Sequence, residues 1–307
     1  MVERFKARIG RHEVMVERSE LERLFGIQLR DGNYSLVLAK EDRETQERDG
    51  IKPAEPKSHK PESKEPVIVP SAQPVITGYL EDNFYKFTMD QVRQVLTPDY
   101  LRFLRDSGYA PDLDRASGLA IEKGILRISK EVRAAAKDSG ISITGRLNSY
   151  LVDINQTNGR RLVELSGYKL PTTAIMYKLF IPHIKELLEQ GNKEAKKTLE
   201  EIVSKKAEWI EDVILDKSKI KIGGKEKQLV LPSGNGVYFN RSDINEFAHP
   251  NTVNQQQGEF RYWAPNRAEN AVIRGRDFGL GLLCDWVPSD SFEDLGVRRA
   301  NFFSIGN

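Results

Sequence analysis

Four histidines, one cysteine and a dense supply of carboxylates are the groups of this 307-residue chain that could do chemistry. His12, His59, His183 and His249 stand in four different contexts, and no His-x-x-x-His spacing occurs. Protein ligands to a metal come as i, i+3 or i+4 pairs on helices or from adjacent strands, so no metal site is expected here. Pro182-His183, inside a helical pattern, reads as a local kink with the imidazole at the surface. Cys284 stands alone, which excludes an intramolecular disulfide, a Cys-x-x-Cys redox pair and a cysteine-rich zinc site. Ser233-Gly234-Asn235-Gly236 is glycine-rich but lacks a following Lys-Ser/Thr and any G-x-G-x-x-G order, so it reads as a turn before it reads as a phosphate cradle. Carboxylates are abundant, yet nothing in the spacing pairs two of them for acid–base work. No cofactor is expected.

The informative stretch lies near the C-terminus. Leu280, Leu282, Cys284 and Trp286 recur at every second position, which in a strand places all four on one face, toward a core. The opposite face carries Gly279, Gly281, Leu283, Asp285 and Val287. These five share no physical logic, combining two glycines that weaken a strand with a leucine, an acid and a valine.

The elements that must position this strand follow from composition and pattern. Lys and Arg number 47 against 45 Asp and Glu, a net charge of +2, so no chain-wide basic field argues for nucleic acid or an anionic membrane. Mean hydropathy is -0.52, no apolar run approaches a membrane span, and Met1 to Gly10 is charged rather than signal-like. The expectation is a soluble protein without a signal peptide, cytoplasmic or virion-associated. Residues 41–74 hold six of the 14 prolines among charges and read as a linker that cannot bury enough apolar surface to order itself. Before it, residues 1–40 form a small module, with Ser19 to Glu22 opening a short helix and Asp31-Gly32 turning a hairpin. At that size, a tether or an oligomerisation module is expected.

Residues 75–307 have an α+β pattern. Thr88-Met89-Asp90-Gln91 caps one helix, and Thr97-Pro98-Asp99 opens a second that stops at Gly108. A short alanine-rich helix from Val132 ends near Gly140. Two longer helical runs follow Leu170-Pro171-Thr172-Thr173, one through Ile175 to Leu188 and one through Leu199, Ile202, Trp209 and Val213. The lysines between them alternate with glutamates and read as a solvated face. From Lys219 onward, short strand-like runs are separated by Gly and Pro.

The order L-x-L-x-C-x-W-x-P-S-x-S-x-x-x-L-G-V-R, ending at Arg298, resembles the variable region of proteins diversified by diversity-generating retroelements. That family has a C-type lectin fold of the formylglycine-generating-enzyme type. Upstream, Gly167 to Thr172 is similar to the segment that opens a helix in this fold, and Tyr100 to Phe103 to a helix near its start. Trp263 with Asn266 to Arg274 resembles the strand before the variable region, and Leu295 to Arg298 the closing strand. The charged insertion at about 185–216 departs from the compact family pattern.

The resemblance implies a C-type lectin-like domain over 75–307 with a helical insertion and a variable region at about 274–298. In the family, copying errors at adenines let asparagine codons drift to Asp, Gly, Phe, Leu or Val. Asp277, Phe278, Gly279, Gly281, Leu283, Asp285, Val287, Asp290, Phe292 and Asp294 fall in that set and are the implied ligand-binding positions. Leu280, Leu282, Cys284, Trp286, Leu295, Gly296 and Arg298 are the implied scaffold. Tyr262 and Trp263 read as a buried pair before they read as fixed neighbours of the patch. The implied function is non-catalytic display of a surface that binds a protein or surface ligand, with no nucleic-acid partner and with oligomer or particle assembly through the N-terminal module. The rivals are a formylglycine-generating-type enzyme, which the missing second cysteine disfavours, and a structural virion or fibre component.

Overall fold

A computed structural model describes residues 4–9, 12–17, 36–38, 83–203, 206–274 and 280–304. The chain divides into two units, Met1–Ala72 and Gln73–Asn307. In the first, β1 (Arg4–Ile9) and β2 (His12–Glu17) pair antiparallel, and β3 (Leu36–Leu38) pairs in parallel with β1. The helix expected from Ser19, the turn at Asp31-Gly32 and the linker at 41–74 lie outside the described residues.

The second unit is mixed α+β. β4 (Phe84–Thr88) runs into α1 (Met89–Val95) through a capping box. Thr88 Oγ1 accepts from the Gln91 amide at 3.2 Å, and Gln91 Oε1 accepts from the Thr88 amide at 2.9 Å, so two otherwise orphaned donors satisfy each other's residues. In α2 (Pro98–Asp106) Thr97 caps the Tyr100 amide and Pro98 fills the first turn; Gly108, at φ +76°, takes the left-handed conformation that ends it. β5 (Gly118–Glu122) and α3 (Lys130–Asp138), capped by Ser129, follow.

α4 (Gln156–Leu165) has no clear sequence signature, because Gly159 interrupts its first turns. That glycine brings the helix against the closing strand: a Cβ there would stand 2.6 Å from Val297 Cγ1. Ile175–Phe180 forms a π-helical turn that continues directly into α5 (Ile181–Glu189). Pro182 lacks an N–H, and the wider turn before it accommodates the ring without ending the helix. His183 is not the surface imidazole expected; it is half-buried, edge-on to Phe87 and Tyr85 with ring centroids 4.9 and 5.8 Å away. α6 (Lys193–Val203) completes the helical hairpin.

One expectation fails here. Trp209, Ile210 and Val213 do not extend a helix but lie in β6 (Ala207–Leu215), where every residue except Leu215 is buried. Alternating acids among apolar residues mimic the helical period, but β-branched and aromatic residues suit a strand enclosed on both faces. The other strands are β7 (Lys219–Ile222), β8 (Lys225–Gln228), β9 (Asn235–Phe239), β10 (Phe260–Trp263), β11 (Glu269–Arg274), β12 (Gly281–Trp286), β13 (Leu295–Val297) and β14 (Ala300–Phe303). The large sheet has the order β8-β7-β6-β11-β12-β10-β9, with β13 also paired to β6, and a smaller sheet has the order β14-β5-β4.

Two cores sit on opposite faces of the large sheet. One gathers Ile210, Ile214, Val272, Leu282 and Cys284 with Tyr177 and Phe180 from the helical hairpin. The other gathers Trp209, Ala271, Ile273, Leu283 and Val297 with Val132 of α3 and Leu162 of α4. Successive residues of β11 and β12 therefore feed different cores. Among the described residues no helix is long and apolar enough to cross a membrane.

Candidate functional site

β12 and the segment after it carry most of the residues singled out from the sequence. Leu282 and Cys284 are fully buried in the first core, and Leu280 packs against it at 9% exposure. Leu295, Gly296 and Arg298 are buried in and beside β13. Asp277, Phe278 and Gly279 lie outside the described residues.

Three placements differ from the strict alternation expected. Leu283 does not face solvent: it is 7% exposed, in the second core. Gly281 is buried as well, and a Cβ on it would meet the Trp263 ring at 3.3 Å. Leu283 is covered because α3 and α4 pack on the face expected to be wet, and Gly281 because the Trp263 ring on β10 lies over it. Trp286, expected beside Cys284, packs instead against the core that holds Leu283. Ile273 pairs with Leu283 and Ala271 with Trp286, so two steps along β11 match three along β12. The extra residue is a bulge, and one residue of slip moves every later side chain to the opposite face.

Beyond the bulge the chain emerges. Asp285, Trp286, Val287, Asp290 and Asp294 are half-buried and Phe292 is 36% exposed. Val287 to Asp290 form a turn closed twice: the Asp290 amide donates to the Val287 carbonyl at 3.0 Å, and the Val287 amide donates to Asp290 Oδ2 at 3.2 Å. Phe292 lies on Trp286, with centroids 4.1 Å apart, and Trp286 meets Trp209 edge-on at 6.4 Å. The Phe292 carbonyl accepts from the Asp153 amide and the Asp294 carbonyl from the Ala207 amide, both at 3.1 Å. The result is an aromatic ledge on an anchored loop, bordered by carboxylates. Burial pushes the Asp285 carboxyl above its ordinary range, with Arg267 opposing that shift.

The sheet also holds a set of buried polar residues of which the sequence had marked only Arg298, as scaffold. Arg298 grips Glu208 with both arms, and Arg274 also contacts that carboxylate. Arg274 and Glu208 are register partners on β11 and β6. Burial holds both arginines below the usual guanidinium range, Arg298 at about 10. Next to them on β6, burial pushes Glu211 up to about 7 against the pull of Arg160, and Asp212 up to about 7 against its hydrogen bonds from Thr173. The Thr173 amide and hydroxyl both donate to Asp212 Oδ2. The signal available was the acid spacing in Ala207-Glu208-Trp209-Ile210-Glu211-Asp212, which also fits a solvated helix.

Cys284 is buried, and burial raises its thiol well above the ordinary value, with Asp285 adding to it. A neutral, enclosed thiol is a weak nucleophile. Glu246-Phe247-Ala248-His249 has Glu-x-x-His spacing but forms a turn in which Ala248 takes φ +63°. His249 is fully buried, neither ring nitrogen has a hydrogen-bond partner among the described residues, and burial lowers its pKa to about 3. Among the described residues no group of three or more His, Cys, Asp or Glu side chains could hold a metal ion.

The described second unit is thus an α+β protein presenting an aromatic and acidic ledge at one end of a doubly buried strand. Comparison of the chain with protein-family models, with curated proteins and with solved structures gives no match.

Proposed function

We propose that the protein is a non-catalytic, ligand-binding display protein, built on a C-type lectin-like scaffold of the formylglycine-generating-enzyme type, whose C-terminal patch is diversified by a retroelement. The observation that carries the reading is the change of environment along one short segment. Leu280 to Cys284 are held in two cores, and from Asp285 to Asp294 the side chains reach the surface on a backbone tied to Asp153 and Ala207.

Display needs some positions fixed and others free. Here the division runs along the chain rather than between the two faces of a strand. Among the described residues the exchangeable set becomes Asp285, Val287, Asp290, Phe292 and Asp294, while Gly281 and Leu283 join the scaffold; Asp277, Phe278 and Gly279 keep the place the sequence gives them. Half-exposed aromatics such as Phe292 and Trp286 supply contact area at low entropic cost, and the carboxylates beside them supply polarity.

The test is the DNA. The reading expects, near the gene, a reverse transcriptase and a near-copy of the sequence encoding residues 274–298, differing at adenines in the codons of those five positions and of Asp277, Phe278 and Gly279. Sister isolates should vary at these codons and keep Leu282, Leu283 and Cys284. An invariant segment, or substitutions scattered evenly over buried and exposed codons, overturns it.

A further inference from the structure

We infer that Arg261, oriented by Tyr238 and set beside Trp263, is a fixed receptor for a carboxylate of a protein partner. The three side chains stand on one face of β9 and β10. Arg261 is the register partner of Tyr238 on β9, and Trp263 follows it by two positions along the same strand. α3 and α4 close this face of the sheet over Leu283, whereas Tyr238, Arg261 and Trp263 stay half-exposed.

The guanidinium is oriented without being neutralised. The Tyr238 hydroxyl accepts from Arg261 Nε at 3.1 Å and from Nη2 at 2.9 Å, and Cζ stands 5.2 Å from the centre of the Tyr238 ring. Both contacts are with an uncharged side chain, and Arg261 belongs to no ion pair among the described residues. Nη1 and the outer N–H of Nη2 keep the parallel fork that grips a carboxylate through two hydrogen bonds. A ligand that had to order this long side chain would lose affinity in doing so. Tyr238 has ordered it already.

Next to Arg261 lies an apolar floor. On the neighbouring strand β12, Gly281 is the register partner of Arg261 and Leu283 that of Trp263. A Cβ at Gly281 would stand 3.6 Å from Arg261 Cβ and 3.3 Å from the Trp263 ring, so the glycine lets that ring lie against the strand. The carbon skeleton bearing the carboxylate rests on the ring. Arginine, tyrosine and tryptophan are also the side chains that carry most of the binding energy in protein interfaces.

The charge favours a carboxylate over a phosphate. One guanidinium supplies a single positive charge, whereas a phosphate group carries about 1.5 to 2 negative ones. Glu259, exposed and two residues before Arg261, adds a negative charge on the same strand, with its Oε2 accepting from the Arg241 amide at 2.8 Å. None of the exchangeable positions among the described residues belongs to this site, so it stays constant while the neighbouring patch changes. The inference rests on the display reading only in taking the ligand to be a protein.

The experiment titrates the full chain, isotope-labelled, with N-acetyl-phenylalanine, whose carboxylate stands beside an apolar ring, and follows amide chemical shifts. Saturable shifts at Tyr238, Arg261, Trp263 and Gly281 are expected. The uncharged analogue N-acetyl-phenylalaninamide should bind about tenfold more weakly. Arg261→Gln should weaken binding of the acid about tenfold, and Tyr238→Phe, which keeps the charge but removes the hydroxyl that orients it, about threefold. Unchanged shifts elsewhere report that each variant is folded. The inference is overturned by the absence of saturable shifts at these amides, by equal affinity of the analogue, by undiminished binding to either variant, or by inorganic phosphate that binds there more tightly than the acid. Because the neighbouring DNA decides the display reading, the two can fail separately.

Discussion

Arg298 closes on Glu208 through two hydrogen bonds, Nε to Oε2 at 2.8 Å and Nη2 to Oε1 at 2.9 Å, with both side chains fully enclosed. Arg274 reaches the same carboxylate from β11. One carboxylate is thus shared by two buried guanidinium groups contributed by separate parts of the sheet. Glu208→Gln removes the countercharge from both, and breaking a buried pair on one side costs about 3–5 kcal/mol. Urea unfolding should show a loss of this size; a midpoint equal to that of the wild type would contradict the arrangement.

Glu211 and Asp212 predict a pH dependence of stability. Their pKa values rise from 4.5 and 3.8 to about 7 in the folded chain, chiefly through burial. The folded state therefore binds protons more tightly, and stability from these groups is fully present below about pH 4 and lost as the pH rises through about 7. His249 acts in the other direction: its pKa falls from 6.5 to about 3, so stability is lost as the pH falls below 6.5. Comparing wild type with Asp212→Asn isolates the carboxyl. The variant should lose less stability between pH 4 and 7, by a few kcal/mol at about 1.4 kcal/mol per pH unit. Parallel stability curves for the two proteins would refute the assignment.

Leu283 and Phe292 should differ in how much stability their substitution costs. Leu283→Ala empties part of the second core and should cost about 2–5 kcal/mol. Phe292→Ser loses one ring contact at the surface and should cost about 1 kcal/mol. Thermal denaturation of both variants measures the contrast. Similar losses would remove the distinction between scaffold and exchangeable positions.

Cys284 should be silent toward thiol reagents in the native protein, since it is enclosed and its thiol is held protonated. Labelling should proceed only as fast as the chain opens and become immediate in denaturant. Rapid stoichiometric labelling under native conditions would place the thiol at the surface instead.

Local signals in the sequence reached local structure. Thr88 with Gln91 and Thr97 with Pro98 cap helices where their spacing says they should, because a cap involves only neighbouring residues. The alternation through Leu280, Leu282 and Cys284 likewise reaches one core, because period two is a property of the strand itself. The π-helical turn before Pro182 and the helix around Gly159 have no comparable signature, since each is stabilised by what packs against it.

By itself, then, the sequence determined the α+β character, the starts of α1 and α2, and the inward face of β12 as far as Cys284. Only the tertiary structure decided that Leu283 is buried and that Trp286 changes face. The first depends on α3 and α4, more than a hundred residues away, covering the opposite side of the sheet. The second depends on the register between β11 and β12, where one extra residue reverses the alternation. The pairing of Arg298 and Arg274 with Glu208 is of the same kind, for a charge in an apolar run is buried only when the fold brings its partner to it.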